Sequence, residues 1–247
     1  MTDRIQKEKD FHNNRFENET RVSLDKYYSV SFLIDSYYQD VLYENCSGKR
    51  ALEYGCGLSS HSFKLAEIAN EVHAIDISEI AIEKAKNEAE EKGLKNIFLE
   101  VMNAESLDFE NNYFDIVCGT SILHHLELKS AYSELARILN PGGKAYFIEP
   151  LGHNLVINLF RNLTSKLRTE DEHPLLMKDI KLLKEYFETV NIKYYYLTSL
   201  LAVPFRKSKY FDSLLSFLNS VDQFLFKSVL LRTQAWQVVI EVSNPRK

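Results

Sequence analysis

Apolar and polar positions follow two different periods along this 247-residue chain, and each change of period marks an element. Residues 50–54 form a short strand-like run that breaks at Gly55-Cys56-Gly57. Ser59 or Ser60 can cap the next helix, whose apolar positions Phe63, Leu65, Ala66 and Ile68 keep a helical spacing. A second strand is predicted over 71–76, with Val72, Ala74 and Ile75 buried. Ala81, Ala85 and Ala89 then recur at four-residue steps between the N-cap Ser78 and the stop Gly93. Residues 96–102 alternate like a third strand, and 114–119 form a mostly apolar fourth. Residues 128–139 read as a helix ended by Asn140-Pro141-Gly142-Gly143, and 144–149 as a fifth strand. A helix over 175–187 and strands over 190–197 and 236–242 complete the series. Strands alternating with amphipathic helices imply an α/β fold: a doubly wound, mostly parallel seven-stranded sheet with helices on both faces.

Three segments break this rhythm. Residues 1–48 look helical and aromatic, with Tyr27, Tyr28, Phe32, Tyr37, Tyr38 and Tyr43 set among charges. Residues 151–174 are polar and basic, and 200–231 are rich in Phe and Leu. In the latter, Phe211, Leu214, Leu215, Leu218, Val221, Leu225 and Val229 recur every three or four residues. That pattern suits a roof over a site, a dimer seam or a membrane surface, and few basic residues on the polar face put the first two ahead. The expected organisation is an N-terminal lid and substrate segment (1–48) and a core (49–247), whose two insertions form a substrate cover.

Composition narrows the function classes. Hydrophobic residues at 45% and charged residues at 26% are ordinary for a globular chain. The net charge of −5 argues against a broad nucleic-acid footprint. Cys46, Cys56 and Cys118 form no CxxC pair, so reduced thiols and a cytoplasmic location are expected, with no metal. The charged N-terminus lacks the apolar stretch of a secretory signal, and no run of eighteen apolar residues occurs.

The chemistry concentrates at the turn Glu53-Tyr-Gly55-Cys-Gly57-Leu-Ser-Ser60. Glycines between a first strand and its helix let the backbone approach a ligand closely. Asp76, at the end of the second strand, can accept both hydroxyls of a ribose. For NAD or FAD, Glu53 would sit close to a pyrophosphate, which is electrostatically poor. A phosphate-free ligand with a positive centre suits it better, and S-adenosylmethionine is such a ligand.

LEYGCGLSS, AIDIS, NAESLDF, FDIVCGTSILHHL and LNPGGKAYFIEP together resemble, in order and spacing, the motifs of class I S-adenosylmethionine-dependent methyltransferases. The likeness is nearest to the small-molecule branch with the ubiquinone/menaquinone-type enzymes and covers residues 49–150. The resemblance implies a Rossmann-like fold. It also implies that Glu53, Gly55 and Gly57 border the methionine moiety, that Asp76 binds the ribose and that Ile77 packs on adenine, with Ser60 among the cofactor-binding residues. Asn103, Ala104 and Glu105 would border the adenine edge, and the Cys118–Gly119 backbone would face the methionine amino group. Tyr28 or Tyr27 would reach the methionine carboxylate from the lid, with His12, Arg15 and Phe16 at its leading edge and Tyr27 also near substrate. Ser59 replaces an often-seen third glycine, and Asn103 stands where many relatives carry Asp.

An in-line displacement at the sulfonium methyl needs alignment above all, and a base only when the nucleophile holds its proton tightly. His124 and His125 follow the fourth strand, and either can accept a proton or brace the loop. His124 is preferred, because Thr120, Ser121 and His124 are spaced like one helical turn. His153, Arg161, Arg168 and His173 follow the fifth strand as candidates to hold or deprotonate substrate, or to staple the insertion. The expected acceptor is a small, partly apolar or aromatic molecule with an O, N or C nucleophile. The expected partners are that small molecule, no nucleic acid, peripheral membrane contact at most, and a monomeric or homodimeric state. The alternative is a non-methylating protein that binds S-adenosylmethionine or S-adenosylhomocysteine on the same scaffold.

Overall fold

Arg50–Tyr54 (β1) lies inside one sheet, pairing in parallel with Glu71–Asp76 (β2) on one side and Phe114–Thr120 (β4) on the other. The computed structural model describes residues 3–18, 29–59, 61–163 and 173–247, without the side chains of Phe160 and Asn162. Ile97–Val101 (β3) extends the sheet beyond β2, and Leu139–Pro150 (β5) extends it beyond β4, both in parallel. Gln237–Pro245 (β7) pairs antiparallel with β5 and with Phe187–Tyr195 (β6), giving the seven-strand order β3-β2-β1-β4-β5-β7-β6. Strand order reverses between β1 and β4, and at such a point the carboxyl ends of the strands part into a crevice.

Successive strand residues serve opposite faces, as the two-residue period demands. Leu52, Val117, Phe147 and Ile240 face one apolar layer with Tyr132 and Leu135 of Leu128–Ile138 and Ile180 and Leu183 of Met177–Tyr186. Their neighbours Ala51, Ile116, Tyr146 and Val239 face the other, against Ile34, Tyr38 and Leu42 of Phe32–Cys46. The helices are numbered in chain order: α1 Asp3–Asn18, α2 Phe32–Cys46, α3 Ser62–Ala66, α4 Glu79–Glu91, α5 Leu128–Ile138, α6 Leu155–Leu163, α7 Met177–Tyr186, α8 Phe211–Leu225 and α9 Val229–Arg232.

The structure corrects three expected boundaries. Asn140-Pro141-Gly142-Gly143 lies inside β5, where the β4 pairing jumps from Phe114–Leu139 to Ile116–Lys144. Leu139 is fully buried, and the Asn140 amide donates to Asp115 Oδ1 at 2.9 Å, so the chain is drawn into the sheet before the bulge. β6 begins at Phe187, also fully buried, and ends at Tyr195, because Tyr196 turns at φ +64°. β7 runs on to Pro245 through its pairing with Phe187.

The insertion after β6 is anchored by one acid. Asp222 of α8 is fully buried and accepts from the backbone N–H groups of Leu197, Thr198 and Ser199 and from both hydroxyls, Thr198 Oγ1 and Ser199 Oγ. Among the described residues no helix is long and apolar enough to cross a membrane.

Candidate functional site

Three alternate positions of the β1–α3 turn adopt left-handed backbone: Gly55 (φ +72°), Gly57 (φ +52°) and Ser59 (φ +64°). A Cβ on Gly55 would lie 2.6 Å from Ile122 Cδ1, so only glycine lets the β1 turn meet the β4 loop this closely. Ser59 occupies the same region at a steric cost that a glycine would not incur. Asp76 fixes the turn from β2: Oδ2 accepts from Gly57 N and Oδ1 from Ser78 N, each at 2.8 Å.

Glu53 is buried and points into the start of α3. Its carboxylate accepts from Ser62 N at 2.8 Å, from His61 N at 3.1 Å and from the Ser62 hydroxyl. Backbone N–H groups at a helix N-terminus are a ready site for an anion such as a phosphate. Here a carboxylate fills the helix N-terminus, so a phosphate is excluded by charge and by occupancy.

Above the turn lies a cavity of about 380 Å³. Its floor carries Gly55, Gly57, Asp76, Ile77, Asn103, Ala104 and Glu105; Thr120, Ser121 and His125 line the wall after β4. Its roof is α1, through Arg4, Ile5, Glu8, His12, Arg15 and Phe16. Helix α1 is tied down along its length. Arg4 pairs with Glu105 and donates to the His125 carbonyl at 3.0 Å, and Lys9 pairs with Glu79. Ser78 Oγ donates to Asn13 Oδ1 at 2.6 Å, and Lys84 Nζ to the Phe16 carbonyl at 2.7 Å.

Several expected residues take other places. His124 does not reach the cavity; its Nδ1 lies 2.7 Å from Oε2 of the fully buried Glu149. Glu149 Oε1 in turn accepts from Ile122 N (2.9 Å) and Leu123 N (2.7 Å), so this pair braces the loop and His125 takes the cavity face. His153 Nε2 accepts from Met177 N at 2.9 Å, at the start of α7. Arg161 donates to the Leu151 carbonyl and to Asn158 Oδ1, both at 2.9 Å. His173 is exposed. No described residue of 151–174 or 200–231 lines this cavity, whose roof is α1. Tyr27, Tyr28, Ser60 and Arg168 lie outside the described residues.

Gly119 sits just behind the wall, and its N–H donates at 3.0 Å to the Tyr38 hydroxyl, which also lies 3.1 Å from the Gly119 carbonyl. Burial raises the phenol of Tyr38 well above its ordinary range. Asn103 Oδ1 accepts from Glu105 N at 3.0 Å, forming a local turn at the cavity edge. The Cys56 and Cys118 thiols are pushed well up by burial and then by the Glu53 carboxylate, so both stay protonated. Sequence reading missed Arg4, Glu8 and Tyr38. The spacing of Glu8 and His12, four residues apart on one helix face, was the available signal.

A family model described as a methyltransferase domain matches residues 45–217. The chain belongs to that family. Aklanonic acid methyltransferase DauC of Streptomyces sp. (strain C5) is 39% identical over 112 residues, 44% of this chain and 51% of that protein. Demethylmenaquinone methyltransferase of Geobacillus sp. (strain WCH70) is 30% identical over 106 residues, 41% of this chain and 45% of that protein. The chain thus spans about half the length of the curated relatives it matches. Among solved structures, phosphoethanolamine N-methyltransferase 2 of Haemonchus contortus, bound to S-adenosylhomocysteine, gives a TM-score of 0.67 at 18% identity, over 96% of this chain and 60% of that one. Geranyl diphosphate C-methyltransferase of Streptomyces coelicolor A3(2) gives 0.66 at 12% identity, over 98% of both. The fold is therefore the Rossmann-like methyltransferase fold.

Proposed function

We propose that this chain transfers a methyl group from S-adenosylmethionine to a small acceptor with an apolar or aromatic body. The Glu53 carboxylate in the N-terminus of α3 carries the reading, because it leaves a glycine turn and a ribose-binding acid beside a site hostile to phosphate. S-adenosylmethionine supplies an activated methyl on a phosphate-free adenosyl ligand. Asp76 holds the ribose hydroxyls, Ile77 packs on the adenine, and Asn103, Ala104 and Glu105 border its edge. Gly55 and Gly57 admit the methionine moiety, Tyr38 steadies Gly119 beside it, and Glu53 acts through the turn it holds.

Helix α1 serves as the lid of a core spanning 49–247 and excludes water from the reacting centre. Thr120, Ser121 and His125, together with Glu8 and His12, form the polar wall that orients the acceptor. Orientation alone can supply roughly 7–11 kcal/mol of the barrier. The names of the matched relatives, which methylate aklanonic acid and demethylmenaquinone, support an aromatic or quinoid acceptor. Three buried free cysteines support a reducing, cytoplasmic location.

The test uses S-adenosylmethionine labelled at the methyl, with hydroxylated aromatic acids, quinols and small-molecule extracts as acceptors. The reading expects label in an organic-extractable product, with S-adenosylhomocysteine formed in equal amount. Tight cofactor binding with no label transferred to any acceptor supports the non-methylating alternative instead.

A further inference from the structure

Glu8 and His12 sit one turn apart on α1, and both face His125 on the loop after β4. One ligating atom from each of the three lies within 4.8 Å of the other two. Glu8 Oε2 is 3.5 Å from His12 Nε2 and 3.3 Å from His125 Nδ1. His125 is buried, and its Nδ1 makes no hydrogen bond. Glu8 is 5% exposed, although it lies on an N-terminal helix whose neighbouring acids, Asp3 and Asp10, are open to solvent.

These separations are long for charge-assisted hydrogen bonds, which close to about 2.7–2.9 Å. They match the spacing of two ligands around a tetrahedral ion with bonds of about 2.0–2.1 Å, where donor atoms stand about 3.3 Å apart. Two imidazoles and one carboxylate are a donor set for borderline divalent cations, Zn(II) foremost, whereas Mg(II) and Ca(II) favour oxygen ligands. Arg4, the nearby cation, is engaged by Glu105 and the His125 carbonyl, so its charge is partly answered.

We propose that Glu8, His12 and His125 form a three-ligand site for a divalent transition-metal ion, at the seam between α1 and the β4 loop. The three ligands line the cavity, so the remaining coordination positions open onto it and suit an oxygen donor of a bound small molecule. Such an ion would also cross-link the lid helix to the core. The assignment stands without the methyl-transfer reading, since metal binding is measured with no cofactor or acceptor present.

The test takes full-length protein stripped with a chelator and desalted, and titrates it with Zn(II) in the calorimeter. Co(II), titrated separately, reports coordination through its visible absorption. One equivalent should bind, with intense Co(II) bands that Zn(II) then bleaches. Glu8→Gln and His12→Ala should each weaken binding by more than roughly 100-fold. His173→Asn, a change at an exposed histidine, should leave it unchanged. Glu8→Gln is nearly isosteric, so a melting curve like that of the wild type separates lost binding from lost folding. Absence of stoichiometric binding, or full binding retained in both ligand variants, overturns the site and leaves the three groups as a polar cluster under the lid.

Discussion

Asp76 commits one carboxylate oxygen to Gly57 N and the other to Ser78 N, and each oxygen keeps a lone pair for a ribose hydroxyl. Asp76→Ala should therefore weaken S-adenosylmethionine binding by about tenfold to a hundredfold, since a hydrogen bond to a charged group is worth roughly 1.5–3 kcal/mol. Titration calorimetry reads this directly, and unchanged affinity would remove Asp76 from the site. The two adjacent histidines should separate by type of effect. His124→Ala strips a partner from the fully buried Glu149 and should lower stability by about 1–3 kcal/mol in denaturant melts. His125→Ala should lower kcat while leaving cofactor affinity nearly unchanged. A reversed pattern would contradict the loop geometry. At this scale the floor of the site was legible, because the glycines and Asp76 are forced by the turn itself. The orientation of the histidine pair was not: Thr120, Ser121 and His124 were read at a helical spacing, whereas Ser121 takes φ +56° and turns the loop.

At the scale of elements, the inner strands β1, β4 and β5 were legible because they are largely buried and read as mostly apolar runs, and β3 because it alternates. The errors fell at ends, where a buried Leu139 or Phe187 drew extra residues into the sheet. The packing partner of the 200–231 segment was not legible, for a related reason. The amphipathic pattern of 200–231 shows that one face is buried, not against what, and α8 docks by means of Asp222 on the turn after β6. Asp222→Ala should leave three backbone N–H groups and two hydroxyls without their acceptor and cost about 3 kcal/mol or more. The check is a thermal melt together with protease sensitivity of residues 198–231. Wild-type stability would show that α8 is held by its apolar contacts alone.

Across the whole molecule, three thiols are sealed within the fold. Burial pushes Cys46 up to about 12, and Cys56 and Cys118 are raised well above the ordinary range. Free thiols in the unfolded chain ionise near about 8.5. The folded state therefore holds more protons above that pH. The thiol contribution to stability is fully present below about pH 8 and is lost as pH rises through 9 toward Cys46's value of about 12. Melting temperature against pH should show that decline, and iodoacetamide at pH 8 should label the thiols only after unfolding. Rapid labelling of the native protein would place a thiol in an open site.

The central claim is that the cleft at β1, β2 and β4 is built for a phosphate-free adenosyl ligand. Calorimetric titration of one protein preparation with S-adenosylmethionine, S-adenosylhomocysteine, NAD, NADP and FAD tests it most directly. The account predicts one-to-one binding of the two S-adenosyl compounds and no heat from the three pyrophosphate cofactors. Binding of NAD, NADP or FAD in place of the S-adenosyl compounds would contradict it.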